Sequence, residues 1–189
     1  MVAYQGTLPL LGGLSIRQSR PSDEDFLLGL FTDARPWLAK SHHDRDFIRM
    51  LYEQQYGAMR TGQETRYPEH LDFIVEKVGQ PVGRLIIDLG RYDWRIAEVE
   101  IHRLARCKGI GSDLIRSIQG TAGQVGVPLT LSVLSAETRV HWFYFRLGFQ
   151  MIANVPPMLE LIWLPPGHPG IQHLPPQVLP PQMQQGGTA

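Results

Sequence analysis

The chain has a single cysteine, Cys107, among its 189 residues. That excludes an internal disulfide and any metal site built on paired thiolates, and it fits a reducing compartment. There is no surplus of charge either: 18 Lys and Arg stand against 18 Asp and Glu, so composition provides no basic face for nucleic acid or an anionic membrane. No stretch reaches the roughly 18 consecutive apolar residues of a membrane-spanning helix, and the apolar patch from Leu8 to Leu11 has no basic segment before it. The expectation is a soluble, unexported, cytoplasmic protein with neither nucleic acid nor membrane as partner. Metal is not expected: His42-His43-Asp44 sits near a helix start, and adjacent histidines on a loop do not converge on one ion.

What is present suffices for one core. Apolar residues make up 43% of the chain, and the length suits one domain with an appendage rather than two. Residues 1–13 read as an N-terminal extension and 14–164 as the domain. Residues 165–189, with Pro165, Pro166, Pro169, Pro175, Pro176, Pro180 and Pro181 among Gln and Gly, read as an extended or disordered tail.

Within the domain, period-two and helical stretches alternate, which argues for a mixed α/β fold. Strands are expected at Leu14 to Gln18, Leu71 to Val78, Val82 to Leu89, Arg95 to Leu104, Val127 to Leu134, Phe149 to Ala153 and Met158 to Trp163. Gly79-Gln80-Pro81 reads as the turn of a hairpin. A short helix opens at Pro21 with the acids Asp23, Glu24 and Asp25, where the helix dipole favours them. Others are expected from Asp44 to Met59, from Gly109 to Gln124 with Ile110, Leu114, Ile115 and Ile118 on one face, and from Glu137 to Leu147 before Gly148.

The segment that carries chemistry is Arg106-Cys107-Lys108-Gly109-Ile110-Gly111-Ser112, between a strand and an amphipathic helix. Glycines let a ligand approach the backbone, and the free N–H groups of a helix's first turn point outward with the positive end of the dipole, an arrangement that suits a pyrophosphate. The spacing is not that of a P-loop, and the first glycine of the dinucleotide fingerprint is missing. Arg106-x-x-Gly109-x-Gly111 resembles the Gln/Arg-x-x-Gly-x-Gly/Ala acyl-CoA signature of GNAT-type acetyltransferases. Some thirty residues later, beyond a strand, Phe143-Tyr144-Phe145-Arg146-Leu147-Gly148-Phe149 resembles that family's late helix, and Pro81 to Leu85 with Arg95 to Ile101 resembles the strands entering its CoA site.

The resemblance covers about Leu14 to Trp163 and implies an α/β (α+β) fold of the GNAT kind. That is a mixed, mostly antiparallel central sheet of six to seven strands, flanked by helices and splayed at the CoA site. It implies acetyl-CoA as cosubstrate and a primary amine as acceptor, on a small molecule or a peptide, with direct transfer in a ternary complex. The CoA-binding segment it assigns is His102, Arg103, Leu104, Arg106, Cys107, Lys108, Gly109, Ile110, Gly111 and Ser112, with Leu104 along the pantetheine arm. Glu137, Val140 and Arg103 stand where the family often has Asn, Ala and Pro.

Acyl transfer to an amine needs a neutral nucleophile and a proton for the departing thiolate. By the resemblance, Tyr144 is the general acid. The alternation Ala97-Glu98-Val99-Glu100-Ile101-His102 puts Glu98, Glu100 and His102 on one strand face, and Glu98, then Glu100, is the candidate base. The acceptor is expected near Trp37, His42, His43, Tyr52, Tyr56 and Tyr67. A competing reading is a non-catalytic acyl-CoA-binding regulatory module whose tail engages a partner protein. The sheet end from Phe149 to Trp163 is a candidate homodimer surface.

Overall fold

A computed structural model of the chain describes residues 6–38 and 44–174. His42 and His43, and the tail beyond residue 174, lie outside the described residues. The strands are β1 (Thr7–Pro9), β2 (Leu14–Gln18), β3 (Leu71–Lys77), β4 (Gln80–Leu89), β5 (Trp94–Ile101), β6 (Leu129–Leu134), β7 (Gln150–Val155) and β8 (Met158–Trp163), and the helices are α1 (Glu24–Ala34), α2 (Arg45–Arg66), α3 (Ile110–Val125) and α4 (Thr138–Arg146). The strands form one sheet in the order β1-β2-β3-β4-β5-β6-β8-β7. All pairs are antiparallel except β5 with β6. Thr7–Pro9 makes this sheet one strand larger than the periodicity indicates, because three exposed residues paired to β2 carry no alternation to read.

The parallel pair sets the architecture. β5 and β6 are partnered only at Trp94 with Leu129 and Arg95 with Thr130. Beyond those residues they diverge, so the sheet opens into a V toward their C-terminal ends. One buried cluster joins the sheet to α3 and α4 through Leu114, Ile115, Leu131, Tyr144 and Phe149. A second joins it to α1 and α2 through Leu30, Phe31, Tyr52, Tyr56 and Ile74. Burial of these side chains provides the main driving force for the layered arrangement.

β6 begins at Leu129 and β7 ends at Val155, each two residues from the sequence reading, and three other boundaries differ in ways that have a clear physical cause. α2 runs to Arg66 instead of ending at Met59. Its apolar face stops at Met59, but its last turns are held by Gln63 bonded to Glu98 and Arg60 paired with Glu24, and it ends where Tyr67 precedes Pro68. β5 stops at Ile101, and Arg103–Ala105 forms a 3-10 turn rather than continuing to Leu104. The β3–β4 turn is Val78-Gly79, with Lys77 opposite Gln80, so Gln80 and Pro81 belong to β4. No described helix is long and apolar enough to cross a membrane.

Candidate functional site

The loop leaving β5 is shaped by backbone conformation. After the 3-10 turn, Cys107 and Gly109 take positive φ values of 60° and 81°, which turns the chain sharply into α3. Gly109 is the N-cap of that 16-residue helix and provides no side-chain cap. The N–H groups of its first turn are therefore open to an anion, with the helix dipole behind them. The Arg106 Nε donates to the Ile101 carbonyl at 2.8 Å, so this arginine braces the loop.

Beside this N-terminus lies a groove of about 570 Å³, walled by Val99 and Ile101 of β5, by Ala105 to Cys107, by Gly109 to Ser112, and by α4. Of the expected CoA-site residues, Arg106, Cys107, Gly109, Ile110, Gly111 and Ser112 line it, together with Tyr144. His102, Arg103, Leu104 and Lys108 do not. The His102 ring stacks on Phe26 at 6.3 Å, and His102 and Arg103 approach Asp33 at 3.7 and 3.5 Å, so both turn toward α1. Leu104 is 66% exposed.

The sequence reading did not assign Arg139, Val140, Phe143 and Arg146 to this groove, although all four line it. Helical spacing from Tyr144 points to Val140 alone; Arg139, Phe143 and Arg146 lie on the adjoining i, i+4, i+7 row of α4, which no sequence signal tied to the groove. Tyr144 packs edge-on against Phe143 and Phe149, with ring centroids 5.0 and 5.3 Å apart. Burial raises its phenol well above the ordinary tyrosine value, so the hydroxyl keeps its proton.

On the other side of β5 the two glutamates share the α1/α2 face. Pairing with β4 shifts between Ile86 and Ile87, so Glu98 faces Ile86, Ile96 faces Ile87, and Ala97 is the extra residue. The bulge lets Arg95 and Glu98, three residues apart, both turn toward α2. Glu98 accepts a 2.5 Å hydrogen bond from the Gln63 amide. Glu100 is 9% exposed, lies opposite the buried Arg84 across the strand pair, and is 3.7 Å from Arg35. Burial, then the neighbouring Glu98, raises its carboxyl to about 7 against the opposing charges of Arg84 and Arg35. Arg84 is held by a two-pronged bond to Asp72, at 2.9 and 2.7 Å.

A second cavity, of about 400 Å³, opens where α2 crosses the apex of the V. Met59, Gly62, Gln63, Arg66 and Tyr67 form one wall, and Arg95 to Ala97, Ser132, Met158 and Glu160 form the other. Arg95, Ser132 and Glu160 bind one another across β5, β6 and β8: Arg95 Nη2 donates to Ser132 Oγ, Ser132 donates to Glu160 at 2.5 Å, and Arg95 pairs with Glu160 at 2.9 Å. Burial alone would raise the Glu160 carboxyl, but these hydrogen bonds and the Arg95 and Arg66 charges hold it below its ordinary value. Of the aromatic residues expected at the acceptor site, Tyr67 reaches this cavity, whereas Tyr52 and Tyr56 are buried with Phe31 and Trp37 is exposed. Among the described residues, no three His, Cys, Asp or Glu side chains are grouped to hold a metal ion.

Comparison with known proteins bears on this pair of cavities. The family model for the GNAT acetyltransferase domain matches residues 69–151, from just before β3 to the start of β7. Among solved structures, a PaiA N-acetyltransferase from Thermoplasma acidophilum in complex with coenzyme A superposes with a TM-score of 0.61 at 13% identity, covering 80% of this chain and 98% of that one. FdhC, a nucleotide-linked sugar GNAT, gives 0.60 at 16% identity over 85% and 91%. The ribosomal-protein-S18-alanine N-acetyltransferase of Escherichia coli gives 0.56 at 12% identity over 80% and 93%. At these identities the structural likeness is one of fold. No curated protein sequence matches the chain.

Proposed function

Because the GNAT acetyltransferase domain model matches residues 69–151 and the fold is that of GNAT acetyltransferases, we propose that the chain moves an acetyl group from acetyl-CoA to a primary amine held in the cavity under α2, by direct transfer through the opening between β5 and β6. The observation that carries this reading is the V between β5 and β6, with an uncapped helix N-terminus and Tyr144 along one side of β5 and a polar cavity on the other. The residues present suit acetyl-CoA. The open first turn of α3 fits a pyrophosphate, and Val99, Ile101 and Phe143 offer an apolar wall for an acyl-pantetheine arm.

In the proposed reaction the amine nitrogen attacks the thioester carbonyl carbon. The C–N bond forms, the C–S bond breaks, and the sulfur leaves as thiolate. Glu98 takes the ammonium proton, directly or through water, because its Gln63 partner lines the acceptor cavity. Glu100, whose carboxyl is raised to about 7, lies two residues further along the same face and is the second candidate. Tyr144, kept protonated by burial, delivers its proton to the departing thiolate, whose basicity the same dry surroundings raise, and is reprotonated by the second proton that the nitrogen sheds as the amide forms.

The test combines acetyl-CoA calorimetry with thiol release against a panel of amines, for the wild type and Tyr144→Phe. The wild type is expected to bind acetyl-CoA and release thiol only with amine present. Tyr144→Phe is expected to bind equally well, unfold within about 1 kcal/mol of the wild type and turn over at least tenfold more slowly. Binding without thiol release on any amine would make the protein an acyl-CoA-binding module, and no binding would remove the reading.

A further inference from the structure

The cavity under α2 has an uneven charge. Arg95 is matched within it by Glu160 and Ser132, and Glu160 is ionised because those partners hold its carboxyl down. Arg66, at the exposed end of the same wall, acts on Glu160 only through space and has no directly bonded acid of its own. Among the described residues it forms no ion pair, and its guanidinium lies 5.5 Å from the Tyr67 ring centroid. The lining therefore holds two guanidiniums against one carboxylate, with the surplus positive charge at the mouth.

The inner part of the same helix wall is different in kind. Gln63, one turn back from Arg66, is fastened to the Glu98 carboxylate. Residues three apart on a helix face have Cβ atoms about 5–6 Å apart. A ligand spanning that turn would meet a carboxylate toward β5 and a planar cation at the rim, with Met59 and Met158 between the walls. Guanidinium is the side chain that best receives a carboxylate, through paired N–H donors. A simple alkylamine or polyamine would leave that cation unanswered and add a like charge beside it.

Building on the transfer reading above, we infer that the acceptor is a small amine that also carries a carboxylate, which Arg66 receives at the cavity mouth while the amino group points toward Glu98. The cavity, at about 400 Å³, admits an amino acid or the first residues of a peptide, whose acidic group is then its first side chain. Arg66 is a specificity residue in this scheme and takes no part in bond making.

The experiment uses the full chain and matched pairs: ω-amino acids with one to five methylenes and their amides, and tripeptide amides beginning with Asp or Asn. Thiol release is measured for the wild type, Arg66→Gln and Arg66→Lys, and binding of each compound to the CoA-loaded protein is measured by calorimetry. At least one acid is expected to exceed its amide about tenfold in kcat/KM and in affinity. That preference should vanish in Arg66→Gln and survive in part in Arg66→Lys, with acetyl-CoA affinity unchanged in both. The free and peptide arms tell which source supplies the acid. Equal handling of acid and amide in every pair, no binding of either, or an acid preference that persists in Arg66→Gln overturns the inference. Thiol release with no acid preference leaves the transfer reading standing without it. Carboxylate-dependent binding through Arg66 without thiol release does the reverse.

Discussion

Glu100 illustrates how much one buried group shapes the behaviour of the whole chain. Its two carboxylate oxygens are buried without a hydrogen-bond partner, and burial and Glu98 outweigh the attraction of Arg35 and Arg84. A carboxyl raised to about 7 in the folded protein binds its proton more tightly there than in the unfolded chain, where its value is 4.5. The resulting stabilisation is complete below pH 4.5 and is lost as pH rises through about 7. Glu100→Gln has no such proton to lose. The unfolding free energy of the variant minus that of the wild type, from urea titrations between pH 4.5 and 8.5, should therefore rise with pH by about 2–3 kcal/mol. A flat difference would mean that Glu100 is better solvated than its surroundings indicate. Alternation alone identified the face that Glu98 and Glu100 share. It did not identify Arg35, Arg84 or Gln63 as their neighbours, because those contacts join residues on different elements and leave no periodic trace.

At the scale of elements, the helices and strands with strong periodicity were legible, and α3, β6 and β8 lie close to where their apolar spacing puts them. The misplaced boundaries are those governed by tertiary contacts or turn geometry. At the β3–β4 hairpin both Val78 and Gly79 have positive φ, 52° and 72°, as a two-residue primed turn requires. Glycine tolerates this and valine does not, so the Gly-Gln-Pro run misled by one position. Val78 is 87% exposed and packs nothing in return. Val78→Asn should raise the unfolding free energy by about 1 kcal/mol, seen as a higher thermal midpoint with catalysis unaffected.

The α3 element yields a prediction of opposite character. A Cβ on Gly111 would stand 3.4 Å from the Phe143 ring, in van der Waals contact with no room to spare, so larger atoms must enter the groove. Gly111→Val should weaken acetyl-CoA binding by more than tenfold in calorimetry. The far-UV spectrum should be kept, since replacing a glycine in a helix offsets part of the strain. Retained affinity would detach the groove from the phosphate site that the sequence motif indicates.

For the molecule as a whole, the question is what keeps the V open by a fixed amount. β5 and β6 share only two partnered positions, so backbone pairing alone holds the apex weakly. The Arg95, Ser132 and Glu160 cluster lies just inside that apex and ties β5 to β6 and β8 through side chains with little exposure. Removing either charge leaves the other half-buried, which costs about 1–3 kcal/mol, while removing both spares that penalty. In a cycle of Arg95→Met, Glu160→Met and the double variant, unfolding free energies should show a coupling of about 1 kcal/mol or more. The consequence for function separates a clamp from a surface ion pair. Arg95 does not line the acetyl-CoA groove, yet Arg95→Met should reduce acetyl-CoA affinity several-fold because the two walls of the V lose their fixed spacing. Strong coupling in stability with unchanged acetyl-CoA affinity would assign the cluster to folding alone and leave the spacing to the helices packed on either side.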